Sequence, residues 1–249
     1  MIEINSLSLK LGSKKVLSDI SVKLEKGSLT ALIGKNGSGK TSLIRCLNGS
    51  VRYSGNIFYR SRDLRTLSVK AISQRIATLW QNRPSCSLTP LTLAKMGRSP
   101  YLDLRQHLSD EDTAAVNKAL EVCQLFDLQD QSLDTLSGGE RQRAYWAMLL
   151  SQDCPVMLLD EPLSHLDTHW QRKLSAHLKR LCKAQNKTAL LIHHDLSLVC
   201  EIADRIVILD NGACLFSGTT EECLEKKLIE RTFSVERFIS DKNNRIFFS

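Results

Sequence analysis

Apolar residues at Ile2, Ile4, Leu7 and Leu9 alternate with polar ones, the period of a half-buried strand. Val16, Leu17, Ile20, Val22 and Leu24 continue the pattern after a break at Gly12-Ser13, and Glu25-Lys26-Gly27 reads as a turn. An antiparallel β-layer therefore leads into Leu29, Ala31, Leu32 and Ile33, a short apolar run that predicts a buried strand. Residues 42–47 read as the first turns of a helix that stops at Asn48-Gly49, and 55–59 and 76–81 as two further strands. The character then changes. Pro84, Pro90 and Pro100 punctuate short apolar pieces. Ser109, three residues before Asp112, predicts a capped start for a helix over 113–123 with Val116, Leu120 and Cys123 on one face. Another helix is predicted over 138–150.

Core character returns at Val156-Met157-Leu158-Leu159-Asp160. A helix over 170–183, a strand over 188–192, a helix over 196–203 and a strand over 205–209 follow. Strands alternating with helices imply a parallel sheet with helices on both faces. Asn211-Gly212 signals a hairpin returning as a strand over 213–217, and the tail, 233–248, reads as another hairpin around Asn243-Asn244.

At 42% hydrophobic and 24% charged residues, the chain has the composition of an ordinary soluble globular protein. Its 249 residues suffice for one large domain or two small ones. The opening Met1-Ile2-Glu3-Ile4-Asn5 lacks the basic start and apolar run of a signal peptide. No stretch is long and apolar enough to span a bilayer, so work at a membrane would be done from its side. A net charge of +7 and a pI near 9.0 admit nucleic acid or anionic lipid as a partner. The favoured reading is a solvated surface with sites for a polyanionic nucleotide and no nucleic acid. Lys and Arg are scattered among acids, and the denser run Arg60, Arg62, Arg65, Lys70 and Arg75 has no interleaved aromatic platform. The eight cysteines form no C-x-x-C pair and no zinc spacing, which fits small buried hydrophobes in a reducing cytoplasm.

Two stretches carry chemistry. Gly34-Lys35-Asn36-Gly37-Ser38-Gly39-Lys40-Thr41 follows a predicted strand and opens a predicted helix, the context of a phosphate-binding loop. Its glycines let backbone N–H groups approach an anion, and the helix N-terminus adds free donors. Lys40 supplies charge to the β- and γ-phosphates of a nucleotide, and Thr41 a hydroxyl to Mg²⁺. The run 156–160 ends in two carboxylates. Asp160 is placed to hold Mg²⁺ through water, opposite Thr41, and Glu161 to accept a proton from an attacking water.

Leu136-Ser137-Gly138-Gly139-Glu140, followed by Arg141-Gln142-Arg143, would be a second anion site at a helix N-terminus. It resembles the signature of ATP-binding cassette (ABC) ATPases, which binds the γ-phosphate of the nucleotide held by the other subunit. Gln81 resembles that family's Q-loop glutamine, which senses Mg²⁺ and the γ-phosphate and links to a membrane partner. Ser164-His165-Leu166-Asp167 resembles the D-loop between the two sites, and His194, before Asp195-Leu196, resembles the switch histidine. Leu11 stands where the family commonly has an aromatic residue that stacks on adenine, which weakens the expected preference for ATP over GTP. Gly97-Arg98-Ser99-Pro100-Tyr101, the 108–112 helix start, 136–143 and 194–196 together look like the ATPase subunits of importers for iron-siderophore complexes, haem and cobalamin.

The resemblance covers essentially the whole chain. It implies an α/β fold: a P-loop NTPase, RecA-like core with an antiparallel β-layer (1–82 and 152–249) and an inserted helical subdomain (83–151). Two copies would pair head-to-tail around ATP and Mg²⁺, each phosphate loop facing the other's Ser137-Gly138-Gly139. ATP would close the dimer and Glu161-assisted hydrolysis reopen it. The expected partners are integral-membrane permease subunits at the cytoplasmic face of the cell membrane, contacted by 81–101, and indirectly a substrate-binding protein. The alternatives are a soluble, non-transport ABC ATPase of the assembly type and the ATPase of an ABC exporter.

Overall fold

A computed structural model describes residues 1–81, 87–102, 107–240 and 245–249. In chain order its first elements are β1 (Ile2–Leu11), β2 (Lys14–Leu24), β3 (Leu29–Ile33), α1 (Lys40–Leu47), β4 (Ser54–Tyr59), β5 (Arg62–Asp63), α2 (Val69–Ser73) and β6 (Ile76–Leu79). Next come α3 (Pro90–Met96), α4 (Asp110–Val122), α5 (Gly138–Gln152), β7 (Val156–Asp160), α6 (Thr168–Gln185), β8 (Thr188–Ile192) and α7 (Leu196–Ile202). The chain closes with β9 (Arg205–Asp210), β10 (Ala213–Thr219), α8 (Thr220–Glu225), α9 (Leu228–Phe233), β11 (Arg237–Ser240) and β12 (Arg245–Phe248). These elements fall into two compact units, residues 1–67 with 175–249, and residues 68–174.

The first unit contains the antiparallel layer, ordered β2-β1-β4-β5. Its apolar spacing slips from two to three at Ile4/Leu7 and again at Leu17/Ile20. The structure gives the reason: the β1–β2 register shifts at both places, and Ser6 and Asp19 each adopt φ of +48°. Each bulge frees a backbone N–H. That of Ser6 donates to Ser21 Oγ (3.0 Å) and that of Asp19 to Ser8 Oγ (2.9 Å). The shifts keep Leu7 and Leu17 on the buried face with Ile2, Ile4, Ile20 and Leu24.

Also in this unit, β3 runs parallel to both β8 and β9, and β10 returns antiparallel on β9. All five residues of β3 and of β8 are buried, as expected of parallel strands covered on both sides. The Asn211-Gly212 turn joins β9 to β10 with both residues at positive φ (+46° and +79°), the two-residue hairpin predicted from sequence. β11 and β12 form the predicted tail hairpin, whose turn residues Asn243 and Asn244 lie outside the described ones. Helices α8 and α9 and the short elements β5 and α2 have no counterpart in the sequence reading. For α8 a signal was available: Thr219 and Glu222 form a reciprocal capping box.

The second unit pairs β6 with β7 in parallel and packs α3, α4 and α5 on one another. The Ser109–Asp112 capping box forms as predicted. The Asp112 carboxylate also receives a hydrogen bond from Arg98 Nε at 2.7 Å, and the two side chains are only 11% and 9% exposed. Arg98 further donates to the carbonyl of Ser151 (2.8 Å) at the end of α5, and its guanidinium lies 4.0 Å over the Tyr101 ring. One buried cation thus ties α4, α5 and the segment after α3 together.

Burial raises the Asp112 pKa, but hydrogen bonds from Ser109 and Arg98 outweigh it and the net shift is downward. A depressed carboxyl stabilises the fold above its unfolded pKa of about 3.9 and loses that contribution as pH falls through the folded value. Asp112→Ala leaves Arg98 buried without its anion and should cost about 3 kcal/mol or more in urea unfolding. The wild type should lose its advantage over the variant as pH falls through the lowered folded pKa of Asp112, once the carboxyl is protonated in both states.

Candidate functional site

Three close approaches to glycine, two of them by backbone carbonyls, shape the phosphate loop within the first unit. A Cβ on Gly34 would collide with the carbonyl oxygen of Leu209 in β9. One on Gly39, which adopts φ of +103°, would lie 2.6 Å from Leu17 Cδ2. One on Gly212 would collide with the Val16 carbonyl of β2. The segments are laced together: Ser18 N donates to Gly212 O (2.8 Å), and Gly212 N donates to Ser38 O (3.2 Å). The hairpin turn is therefore a strut beneath the loop.

The opposite side of the loop is open. Gly37, at φ of +80°, has nothing within 4 Å of an added Cβ, and Lys35, Asn36 and Gly37 are exposed. Lys40 Nζ folds back onto the carbonyls of Gly34 (2.7 Å) and Lys35 (3.0 Å), leaving the ammonium at the loop's rim. Helix α1 starts at Lys40 with no side-chain cap at Gly39, and Thr41 follows in its first turn. Ser38 Oγ is buried without a hydrogen-bond partner. An orphaned hydroxyl, uncapped helix N–H groups and an ammonium around one concave loop fit the phosphates of a nucleotide.

Two other expected residues lie in the same unit. Leu11 ends β1 and is 46% exposed, so it offers an apolar face but no ring. His194 follows β8 and is exposed, whereas His193 is 5% exposed and its ring stacks on that of His194 at 4.8 Å. Asp195 N donates to His193 Nδ1 (3.0 Å), which puts the neutral ring's proton on Nε2. Of the two adjacent histidines, His194, the expected switch residue, is the exposed one.

The second unit holds the other expected residues. Asp160 ends β7 at 3% exposure. Glu161 follows in the left-handed region at φ of +50°, a conformation that costs a non-glycine residue energy and re-aims its side chain. Ser164 Oγ donates to Glu161 Oε2 at 3.0 Å. Gln81 is exposed in a bend after β6. Asp167 caps α6, its Oδ1 accepting from Trp170 N at 2.8 Å.

The Ser137–Glu140 turn is a reciprocal capping box. Ser137 Oγ accepts from Glu140 N, and Glu140 Oε2 accepts from Ser137 N (2.9 Å) and Ser137 Oγ (2.6 Å). Those bonds to Ser137 hold the Glu140 carboxyl below its ordinary pKa. The N–H groups of Gly138 and Gly139 have no intrahelical acceptor. A Cβ on Gly138 would meet nothing within 4 Å, and one on Gly139 only His165 O at 3.7 Å. The turn thus leaves open space beside the first N–H groups of α5, a geometry that can receive an anion.

Sequence reasoning missed how the loop after Glu161 is held. The carbonyl of Pro162 accepts from Gln142 Nε2 (2.6 Å) and from Trp146 Nε1 (2.7 Å), both on α5 and both buried. Gln171 Nε2 spans the carbonyls of Leu163 (3.4 Å) and Leu166 (3.1 Å). These donors serve backbone carbonyls, and no periodicity marks such bonds in a sequence.

A family model described as ABC transporter matches residues 17–164. The chain is 34% identical over 254 residues to a petrobactin import ATP-binding protein of Bacillus subtilis (strain 168), covering 100% of each. It is 35% identical over 237 residues to a ferric enterobactin transport ATP-binding protein of Escherichia coli (strain K12), covering 94% of this chain and 88% of that one. Among solved structures it resembles a chain of an inward-facing transporter described as of metal-chelate type, with a TM-score of 0.83, 25% identity, and 100% of this chain and 96% of that one covered. A nucleotide-free ATP-binding cassette from an ABC transporter shares the fold, with a TM-score of 0.81 at 23% identity over 93% of this chain and 96% of that one.

Gly212→Ala should lower thermal stability and weaken ATP binding together. Its Cβ would displace Val16 and break the strut to Ser38 O, and its positive φ adds strain, for a total of about 1–3 kcal/mol. Isothermal titration with ATP and a melting curve check both effects.

Proposed function

The chain belongs to the ABC transporter family, and from that premise we propose that it is the ATP-hydrolysing subunit that powers import of a metal chelate through a separate membrane permease. The observation that carries the catalytic reading is that one chain presents two open anion cradles, at the starts of α1 and α5. A single bound nucleotide occupies the first through Lys40 and the loop amides. The second is accounted for by the nucleotide of another copy. The reading is therefore a head-to-tail dimer with two ATP molecules between its subunits. The cargo class rests on relatives named for petrobactin and ferric enterobactin, and on one named for hemin import from Rhodococcus jostii (strain RHA1), 33% identical over 231 residues.

In this reading, Lys40 and the N–H groups around Gly37 and Gly39 neutralise and orient the phosphates. Mg²⁺, when bound, screens the β- and γ-phosphate charge; Thr41, Gln81 and Asp160 are the residues that would hold it. Glu161 accepts the proton of the attacking water, and its left-handed backbone sets the direction of its carboxylate. His194 and Gln81 report on the γ-phosphate. Ser137, Gly138, Gly139 and Glu140 close on the partner's nucleotide, and Asp167 sets the D-loop beside them. The apolar Leu11 face makes base discrimination weak.

No helix among the described residues is long and apolar enough to cross a membrane. In this reading the subunit acts peripherally, at the cytoplasmic face where ATP is held, on integral-membrane permease subunits that receive cargo from a binding protein. An exporter or a soluble assembly ATPase would share the nucleotide chemistry but not the import relatives.

Glu161→Gln should keep ATP affinity within about two-fold, lower turnover by about 10³-fold or more, and accumulate an ATP-bound dimer on size exclusion. Normal turnover would remove Glu161 as the base. In cells lacking the chain, uptake of iron-55 supplied as siderophore complexes or haem should fall to background and return with the wild type but not with Glu161→Gln. Unchanged uptake of every chelate would exclude the import role.

A further inference from the structure

Trp170 stands in the first turn of α6, three residues beyond the helix cap Asp167. Two cations lie over its ring, Arg143 Cζ at 4.3 Å and Lys173 Nζ at 4.3 Å from the centroid. Lys173 is a neighbour one turn along the same helix. Arg143 comes from α5 and is fixed on several sides. Its Nη1 donates to the carbonyls of Cys123 (2.8 Å) and Gln124 (3.0 Å), just beyond the C-terminus of α4, where a cation also meets the negative end of the helix dipole. Its Nη2 lies 4.0 Å from Glu140 Oε1, and its side chain is 12% exposed. A largely desolvated guanidinium held this way is a strong partner for an indole face.

These contacts close a circuit. Glu140 caps Ser137 and reaches Arg143; Arg143 holds the Trp170 ring; the Trp170 N–H is capped by Asp167. On the other side, Gly139 faces the carbonyl of His165, 3.7 Å from where its Cβ would be. The 137–140 turn and the 164–167 loop are therefore linked through Arg143 and Trp170, with the Gly139 backbone in ordinary packing range of the His165 carbonyl. Apart from the lysine on its own helix, the indole's cation is the arginine that lies one turn from the signature turn's own cap.

We infer that Trp170 is a positioning residue: its indole, held under Arg143, locks the 164–167 loop to the 137–140 turn so that both meet the second copy's nucleotide in one fixed geometry. This rests on the head-to-tail dimer proposed above. In this proposal the indole acts through Arg143 and the Asp167 cap, so its effect belongs to dimer closure and not to the affinity of a lone subunit for ATP.

The test measures ATP-driven dimerisation by sedimentation in the Glu161→Gln background, with Trp170→Ala and Trp170→Phe added in turn. Binding of a fluorescent ATP analogue at protein concentrations below dimerisation and a melting curve accompany it. Trp170→Ala should weaken the ATP-bound dimer about ten-fold while monomer affinity stays within about two-fold. Trp170→Phe keeps an aromatic face for Arg143 and should recover most of the loss. A Trp170→Ala dimer as tight as its parent, or Trp170→Phe as weak as Trp170→Ala, would overturn the inference. So would a parallel loss of monomer affinity and melting temperature, which marks a packing role alone. If Glu161→Gln by itself forms no dimer with ATP, the head-to-tail reading fails, and this inference with it.

Discussion

Backbone segments 16–18 and 209–212 close in beneath the phosphate loop, at two points nearer than an added Cβ would permit. Gly34 abuts the Leu209 carbonyl, Gly39 abuts Leu17, and Gly212 abuts the Val16 carbonyl while bonding to Ser38 O. The loop can aim its N–H groups outward only because its other side is fixed in this way. Electrostatic stabilisation of a phosphate depends on donors already oriented before the anion arrives. The buried strands β3, β8 and β9 supply the rigid floor, and the β1–β2 layer contributes Val16, Leu17 and Ser18 from above the turn. Packing, turn chemistry and anion binding are in this sense one arrangement.

The second unit solves a different problem. Glu161, directly after β7, must be held on an irregular segment, where backbone carbonyls need partners once buried. Gln142 and Trp146 serve Pro162, and Gln171 serves Leu163 and Leu166. Since Gln142 and Trp146 sit on the helix that begins at the Ser137–Glu140 cap, the segment bearing Glu161 is bolted to the element carrying the signature turn. A displacement of one is felt by the other without any long chain of contacts.

Much of this was legible from residues alone. The alternation at 2–9 and 16–24, the continuous apolar runs of β3, β7 and β8, the Ser109–Asp112 cap and the Asn211-Gly212 turn each follow from local rules that the structure obeys. Even the slips at Ser6 and Asp19 were visible as three-residue spacings, though their meaning as paired bulges needed the register. The glycines, lysine and threonine of the phosphate loop were legible because their chemistry admits few substitutes. What was not legible is tertiary and polar: the two hydrogen bonds that Gln142 and Trp146 donate to Pro162 O, the burial of Arg98 against Asp112, and the Arg143–Trp170 stack. Each joins residues from different elements through groups that, in a sequence, read as ordinary solvent-facing side chains. The six residues of α9 carry too little periodicity to register, whereas α8, equally short, had only its Thr219–Glu222 cap to mark it.

The central claim is that this ATPase delivers its motion to a membrane permease. The most direct measurement is affinity purification of the tagged full chain from detergent-solubilised membranes of its own host, with mass identification of what accompanies it. The account predicts a multi-span permease in stoichiometric amount, accompanied under gentle conditions by a binding protein for a metal chelate. A soluble scaffold in its place, with no membrane protein, would leave the nucleotide chemistry standing and contradict the transport role.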